Sequence, residues 1–532
     1  MEEGTFVETE QIRRWDSGAL AHAVTDPFGQ GPLPWLRGRE HYLDDSGQLL
    51  PWYVDLAAID DSPVPAASGV QGASGAHGAR GVPVVRDARG LPVQRAGRRH
   101  HSGPRTADDV GLQIKGFTSS GSVVPGDSVD FHVTVNPPQQ FSVDVYRIGH
   151  YGGDGAAHIT TSPRLSGIVQ PPPLAAGRTV SCHHWWLSWR LQIPSYWNSG
   201  AYVAVLTTAD GYRSHVPFTV RSAQPADLLL LLPDVTWQAY NLYPEDGRTG
   251  ASLYHAWDER GRLLGEEEAA VTVSFDRPYA GAGLPLHVGH AYDFIRWAER
   301  YGYDLAYADT RDLHAGRVDP GAYRGLVFPG HDEYWSVPMR QAAQRARDGG
   351  TSLVFLSANT MYWQVELSAA PTGEPDHLLT CRKRRSDARG RTALWRDAGD
   401  PEQLLMGVQY AGRVPEPSPL VVRNAEHWLW QAAGTGEGDE LPGLVAGEAD
   451  RYFPRTPLPR YTDRILLAHS PYEDTSGHRV HQETSLYRAP SGAYVFASGT
   501  FAWSPALDRP GHVDPRVQRA TANLLDRICK RD

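Results

Sequence analysis

Polar side chains that could bind a metal ion follow three predicted strands in the carboxyl-terminal half of the chain. Tyr240 comes after the apolar run "DLLLLL", His331 and Glu333 come after "GLVFP", and Asn359 comes after "SLVFLSA". If the backbone is extended beyond "GLVFP", His331 and Glu333 point to one side and Asp332 points to the other. The pattern therefore offers a phenol, an imidazole with a carboxylate, and an amide at neighbouring strand ends.

A histidine and a carboxylate that face the same way suit iron, zinc or manganese. The phenolate of Tyr240 would favour iron, ferric more than ferrous, because hard anionic oxygens stabilise the higher charge. The same residues also fit a metal-free polar cluster, in which Glu333 caps the following helix and His331 bonds to the backbone. Because H-x-E is a weak pattern, the residues alone leave both interpretations open.

The elements that must position these side chains lie in residues 226–532. The segments "DLLLLL" and "SLVFLSA" read as strands covered on both faces. "SVPMRQAAQRARDGG" has the Ser-x-Pro start and the glycine stop of a helix. The alternation predicts an α/β domain with a mostly parallel sheet, in which ligands bind beyond the carboxyl ends of the strands.

The segment before it, residues 107–222, alternates apolar and polar residues with a period of two. "SVDFHVTV" places Val129, Phe131 and Val133 on one face, and similar runs follow after turn residues. This spacing of short strands predicts an antiparallel, immunoglobulin-like β-sandwich.

The first 106 residues differ from the rest of the chain in amino-acid composition. Residues 1–62 are mixed in composition and indicate an irregular amino-terminal segment. Residues 63–106 are rich in Gly, Ala and Arg, with too few large apolar side chains to offset the entropy of ordering. They are predicted to form a linker or loop.

Composition argues against several classes of partner. The net charge of −10 argues against a nucleic-acid partner, and the basic run at 381–391 is better read as a solvated face. No apolar stretch approaches the roughly 18 residues that span a membrane. The three cysteines lie far apart and predict no disulfide framework. Since the first residues lack the apolar core of a secretory signal, we expect a cytoplasmic protein.

Familiar catalytic motifs do not occur. The sequence has no HExxH, no G-x-S-x-G, no P-loop and no GxGxxG. A cysteine nucleophile could follow "SLVFLSA", but the residues there are Ser357, Ala358 and Asn359. This largely removes thiol catalysis from consideration.

Several separated motifs resemble the large-subunit family of N,N-dimethylformamidase, over about residues 110 to 530. They occur in the family's order: "VYRIGHYGGDGA", "TWQAYNLY…GASLYH", "GHDEYWS", "FLSANTMYW", "LVAGEADRYFP" and "FASGTFAWS". The resemblance implies a domain like the glutamine-amidotransferase fold. It also implies hydrolysis of a small tertiary amide at a mononuclear iron.

By motif, the resemblance assigns the iron ligands to Tyr240, His331 and Glu333. Asn359 matches a polar residue that orients substrate or hydroxide, and Glu448 or Glu483 would be the acid–base carboxylate. These motifs shift the balance towards the metal site.

The resemblance predicts an iron-dependent amide hydrolase with a small-molecule substrate. The family pairs its large chain with a small subunit and has a lectin-like sandwich before this region, where residues 1–106 stand here. A small subunit or a homo-oligomer is therefore open as an assembly. The alternatives are an iron-dependent cyclase, lyase or oxidative tailoring enzyme acting on a larger intermediate, and a non-catalytic binding module.

Overall fold

The computed structural model describes residues 105–222, 224–383, 394–460 and 463–530. The segment predicted at 1–62 lies outside the described residues, as do the predicted linker up to residue 104 and most of the basic run at 381–391. Within the described part of the chain, no helix is long and apolar enough to cross a membrane.

Short strands make up the first part of the described chain. They are β1 (Arg105–Thr106), β2 (Lys115–Thr118), β3 (Ser122–Val123), β4 (Ser128–Thr134), β5 (Gln140–Ile148), β6 (Ala156–Thr161), β7 (Leu165–Ser166), β8 (Leu174–Ala176), β9 (Thr179–Ser181), β10 (Trp189–Gln192), β11 (Gly200–Thr208) and β12 (Tyr212–Val220). One sheet has the order β1-β12-β11-β5-β6, with β3 beside β12 and β7 beside β5, and a second has the order β10-β4-β2. Strands β8 and β9 form a separate hairpin.

These two larger sheets bury one common core. Val129, Phe131 and Val133 of β4 pack in the same cluster as Val143 and Val145 of β5. On β4 the buried residues alternate with more exposed ones, as the period of two in the sequence predicts. The region is therefore β-rich, with two sheets packed on a shared apolar layer.

Strands and helices alternate through much of the remaining chain. The elements are β13 (Leu228–Leu232), α1 (Asp234–Tyr240), β14 (Ala256–Trp257), β15 (Leu263–Leu264), β16 (Thr272–Ser274), α2 (Val288–Arg300), β17 (Leu305–Asp309), α3 (Thr310–His314), β18 (Gly325–Phe328), β19 (Tyr334–Ser336), α4 (Val337–Gly349), β20 (Ser352–Phe355), β21 (Trp363–Ser368), β22 (Leu378–Thr380), α5 (Gln403–Met406), β23 (Gln409–Val421), β24 (Glu440–Arg451), β25 (Ile465–Glu473), β26 (Arg479–Arg488), β27 (Tyr494–Ala497), α6 (Pro505–Asp508) and α7 (Pro515–Cys529).

A seven-stranded sheet in the order β17-β13-β18-β20-β27-β26-β25 forms the centre of this part. The strands from β17 to β27 are parallel, and β26 and β25 are antiparallel additions. In β13, Leu228, Leu230 and Leu232 belong to one core cluster, while Leu229 and Leu231 belong to another. A continuous apolar run is required because both faces of the sheet are covered.

Helices cover the two faces of this sheet. Helices α2 and α7 pack in the cluster of Leu228, and α1, α3 and α4 pack in the cluster of Leu229. Helix α4 begins as the sequence predicts, since the Ser336 hydroxyl accepts a hydrogen bond from the Met339 N–H. It ends at Gly350, whose φ of 107° is left-handed. The predicted strand–helix alternation is confirmed here.

Strands β23 to β26 have no counterpart among the predicted elements. Strands β23 and β24 form a two-stranded sheet with register shifts. Prolines at 415, 417 and 419 interrupt the alternation of apolar and polar residues in β23, and that alternation is the signal by which a sequence predicts a strand. Because β24 carries Glu448, this irregular pair supplies a side chain to the site described next.

Candidate metal centre

The side chains of Tyr240, His331 and Glu333 meet at the carboxyl end of the parallel sheet. The Tyr240 hydroxyl donates to Glu333 Oε2 at 2.6 Å and lies 3.0 Å from His331 Nε2. His331 Nε2 lies 3.2 Å from Glu333 Oε2. Three different donor atoms thus face one point in space.

Two connections bring these residues together. His331 and Glu333 lie in the short link between β18 and β19, beyond the carboxyl end of β18. Tyr240 is the last residue of α1, the helix that directly follows β13. The Tyr240 side chain is therefore positioned by a short helix and not by the strand end itself. Because β13 and β18 are neighbouring parallel strands, both connections lie at the same edge of the sheet.

The donor atoms have the spacing that a single metal ion requires. Ligands with bonds of about 2.1 Å at right angles to each other stand about 3 Å apart. The separations of 2.6, 3.0 and 3.2 Å among the three donors match this value. One phenol, one imidazole and one carboxylate fit an iron ion, so the residues present suit the implied metal.

The alternative in which Glu333 caps the following helix is wrong. Ser336 is the N-cap of α4, and its hydroxyl accepts from the Met339 N–H. The Glu333 carboxylate instead accepts hydrogen bonds from two tyrosines, Tyr240 and Tyr254. Its orientation is thereby set by the phenols around it and not by the helix end.

Tyr254 is a contact of the trio that was not among the predicted site residues. Its hydroxyl donates to the Glu333 carboxylate, with distances of 2.8 Å to Oε1 and 2.7 Å to Oε2. Its ring stacks on Tyr240, with centroids 4.5 Å apart. The residue lies in "GASLYH", one of the motifs of the resemblance, but no periodic pattern points to it.

The trio is buried, and burial shapes its proton equilibria. His331 is 1% exposed and Glu333 is 2% exposed. Burial and the Glu333 charge raise the pKa of Tyr240 well above its usual value. Burial is the largest influence on both groups and opposes their charge, but their mutual hydrogen bond and the nearby charges together outweigh it, so the pKa of His331 is raised and that of Glu333 is lowered. The pair therefore favours the charged form of both partners.

Asp332 faces away from its two neighbours. Its Oδ1 accepts a hydrogen bond from the Thr236 hydroxyl at 3.2 Å. The side chain is buried, and burial raises its pKa to about 8. Asp332 thus supports the packing of α1 against this connection.

Glu448 lies beside His331, and Asn359 lies beside Glu448. The Glu448 Oε2 atom is 4.0 Å from His331 Nδ1. Burial and the nearby Glu333 raise the pKa of Glu448 to about 7, although His331 and the Asn359 amide act to lower it. Asn359 has a left-handed φ of 54°, and its N–H donates to Asp450 at 2.8 Å. The structure therefore places a carboxyl beside His331 and an amide against that carboxyl.

Glu483, the second predicted acid–base residue, has other partners. Its Oε1 lies 3.0 Å from His469 Nδ1, and its Oε2 accepts from the Tyr452 N–H at 2.7 Å. The hydrogen bonds of this carboxylate do not include the trio. Of the two predicted carboxylates, the structure brings only Glu448 to the trio.

Aromatic side chains complete the wall of the site. The His331 ring lies 4.6 Å from Phe501 and 5.5 Å from His287, measured between centroids. Burial and the nearby His331 lower the pKa of His287 well below its usual value. His287 precedes α2 with a left-handed φ of 64°, a conformation that no helix-period pattern reveals. The result is a largely apolar surround beside a compact polar centre.

The comparisons with known proteins point to one family. Residues 142–517 match the family model described as N,N-dimethylformamidase beta subunit-like, C-terminal. The trio, Asn359 and Glu448 all lie inside that range.

A relative from Alcaligenes sp, the N,N-dimethylformamidase beta subunit, is 25% identical over 285 residues. The match covers 44% of this chain and 36% of the relative, so it spans about a third of that protein.

Among solved structures, an alkylpurine DNA glycosylase of Pseudomonas fluorescens is 17% identical, covers 21% of this chain and 31% of its own, and gives a TM-score of 0.14. A cycloisomaltooligosaccharide glucanotransferase of Paenibacillus sp. is 8% identical, with coverages of 72% and 68% and a TM-score of 0.17. Likenesses this low carry no argument about fold or function.

Proposed function

Because the chain belongs to the N,N-dimethylformamidase beta subunit-like family, we propose that it is an iron-dependent hydrolase of a carbon–nitrogen bond in a small amide. The observation that carries the proposal is the convergence of Tyr240, His331 and Glu333, with donor atoms 2.6 to 3.2 Å apart. Glu448 beside them adds a group able to move a proton.

Tyr240, His331 and Glu333 would hold the iron through one oxygen, one nitrogen and one carboxylate oxygen. When bound, the ion supplies Lewis acidity towards a carbonyl oxygen and lowers the pKa of water. Tyr254 keeps the Glu333 carboxylate oriented, because its hydroxyl hydrogen-bonds to both oxygens.

The remaining residues act on the substrate and on protons. The Glu448 carboxylate accepts a proton from the attacking water and returns it to the leaving amine nitrogen. The Asn359 amide lies against Glu448 and orients the substrate carbonyl or the water. Phe501 and His287 pack against the His331 ring and would exclude bulk water from it.

The fold supports the same proposal at a coarser level. We infer that the two-sheet region is an immunoglobulin-like sandwich and that the mostly parallel sheet is of the glutamine-amidotransferase type. The parallel order from β17 to β27 with helices on both faces supports the second inference. The relative is a beta subunit by name, which supports assembly of this chain into an oligomer with another subunit or with itself.

Metal analysis tests the site. We expect purified protein to contain about one iron per chain, and Tyr240→Phe, His331→Ala and Glu333→Ala to lose most of it. A visible charge-transfer band from phenolate to ferric iron should vanish in Tyr240→Phe. Tyr301→Phe is the matched control, since Tyr301 is 49% exposed and directly follows α2. Unchanged iron in all three site variants would exclude the trio as the ligand set.

Product analysis tests the reaction. Incubation of iron-loaded protein with N,N-dimethylformamide and larger tertiary amides should release amine and acid in equal amounts without oxygen. A strict requirement for oxygen would favour the oxidative alternative. Rearranged or eliminated product without uptake of water would favour a cyclase or lyase. Folded protein that takes up no metal would favour a binding module.

A further inference from the structure

A second cluster of metal-binding side chains lies on the hairpin of β25 and β26. His469 and Glu483 are paired directly across the two strands. His481 precedes Glu483 by two positions on β26, so both side chains lie on the same face. The three side chains each offer one ligand atom, and these atoms all lie within 4.8 Å of one another.

Both imidazoles approach one oxygen of the same carboxylate. Glu483 Oε1 lies 3.0 Å from His469 Nδ1 and 3.8 Å from His481 Nε2. The two rings stack with centroids 4.3 Å apart and planes inclined by 29°. Small side-chain rotations would bring the three donors to the roughly 3 Å spacing of ligands around one ion.

The carboxylate of this cluster is fixed before any ion arrives. The Glu483 side chain is 6% exposed, and its Oε2 accepts the Tyr452 N–H at 2.7 Å. This leaves Oε1 aimed at the two rings. A ligand held by a hydrogen bond in this way loses little entropy on binding, which favours metal affinity.

The imidazoles lie towards solvent. The His469 side chain is 44% exposed and the His481 side chain is 30% exposed. An ion held here would keep at least one position for water, as three-ligand zinc sites do. Arg451 acts on His481 and Arg464 acts on Glu483, so two nearby cations oppose very tight binding.

We propose that His469, His481 and Glu483 form a second metal site, which binds a divalent transition-metal ion of the zinc class. Two imidazole nitrogens and one carboxylate oxygen are a ligand set that zinc takes up readily. As metal ligands, two imidazoles and one carboxylate together supply one negative charge, which the ion offsets. The site contains no tyrosine, in contrast to the trio, and so it lacks the phenolate oxygen that favours ferric iron.

Zinc binding to the full-length, iron-loaded protein tests this inference. The protein is titrated with Zn²⁺ against a chromophoric chelator, and bound zinc and iron are counted together by elemental analysis. We expect the wild-type chain to bind one zinc more than His481→Ala or Glu483→Gln, with at least a tenfold loss of affinity at that site. Iron content should be the same in all three proteins.

His478→Ala is the matched control. His478 lies in the turn of the same hairpin, and its side chain is 77% exposed beside Asp474. This variant should keep the full zinc count. Equal zinc counts and affinities in wild type, His481→Ala and Glu483→Gln would overturn the proposal.

A second measurement separates binding from loss of fold. Zn²⁺ should raise the Tm of wild type and of His478→Ala, and leave the Tm of His481→Ala unchanged. Tyr240→Phe, which is expected to lose iron, should keep this zinc-dependent shift. The two sites can thus fail independently, because iron loss reports on the trio and the zinc shift reports on the hairpin. An equal zinc-dependent shift in His481→Ala would also overturn the proposal.

Discussion

At the scale of single residues, the sequence predicts which candidate side chains come close together where side-chain type and strand ends coincide. His331, Glu333 and Asn359 lie in the connections that follow buried parallel strands, and the structure brings all three close together. Tyr254 and His287 could not be found in this way, because they lie in connections without a regular period. Their roles follow from contacts with Tyr240, Glu333 and His331 that only the fold creates.

Glu448→Gln removes the proposed proton carrier and keeps its shape. We expect kcat for amide hydrolysis to fall by about 10²- to 10⁴-fold, because general acid–base catalysis contributes that much. Iron content should not change, since no ligand is lost. Glu440→Gln is the control, because Glu440 is exposed at the other end of β24. Loss of iron in Glu448→Gln would instead make this carboxylate part of the metal site.

Tyr254→Phe removes one hydroxyl from the support of Glu333. We expect iron affinity to fall by about 10- to 100-fold, as for other groups that orient a ligand. Circular dichroism should stay unchanged, since the ring can still stack on Tyr240. Chelator competition at fixed pH measures the change, and an unaltered affinity would show that Tyr240 alone orients Glu333.

At the scale of elements, the sequence predicts the strands and helices in which the pattern of apolar residues is not interrupted. Strand β13 and helix α4 have clear apolar runs and caps, and both are confirmed. The sequence does not predict the pair β23 and β24, because prolines, glycines and register shifts break the alternation of apolar and polar residues in these strands. The unpredicted β24 nevertheless positions Glu448, so local irregularity and function coincide in this strand.

Gly447 is a point where β24 allows no side chain. Its φ is +68°, and a Cβ there would lie 2.9 Å from the Phe501 ring. Gly443 has a φ of +70° with nothing within 4 Å, so it isolates the cost of backbone conformation. We expect Gly443→Ala to cost about 1 kcal/mol of unfolding free energy, and Gly447→Ala to cost at least about 1 kcal/mol more. Urea denaturation measures both, and equal losses would show that Phe501 yields without strain.

His215 links β12 to the loop at Ala282 and predicts a dependence of stability on pH. Its Nδ1 donates to the Ala282 carbonyl at 2.9 Å, and burial lowers its pKa to about 4. The unfolded chain binds this proton near pH 6.5, so stability is full above that pH and falls as pH drops towards 4. The loss should reach roughly 3 kcal/mol.

Denaturant unfolding at several pH values between 7 and 4 measures this dependence. His215→Asn keeps a donor close to Nδ1 but does not titrate in that range. The difference in unfolding free energy between wild type and His215→Asn should therefore shrink or reverse as the pH falls. A constant difference across the range would show that His215 keeps an ordinary pKa in the folded protein.

At the scale of the whole molecule, the change in residue pattern along the sequence predicts a β-sandwich before an α/β domain, and this division stays a prediction. In the structure, strand β12 ends at Val220 and β13 begins at Leu228. The order of strands could not be predicted, because it depends on pairings between distant segments. Strand β27 shows this best, since it lies between β20 and β26 in the sheet.

That position of β27 has a consequence for how the chain is made. The strand inserts beside β20 although about 140 residues separate them. At the synthesis rate of about 5–20 residues per second, the edge of β20 emerges from the ribosome on the order of ten seconds before its partner. Phe501, which walls the site, emerges later still. The nascent chain thus exposes an unpaired strand edge while these intervening residues are made, and chaperone supply should govern its soluble yield.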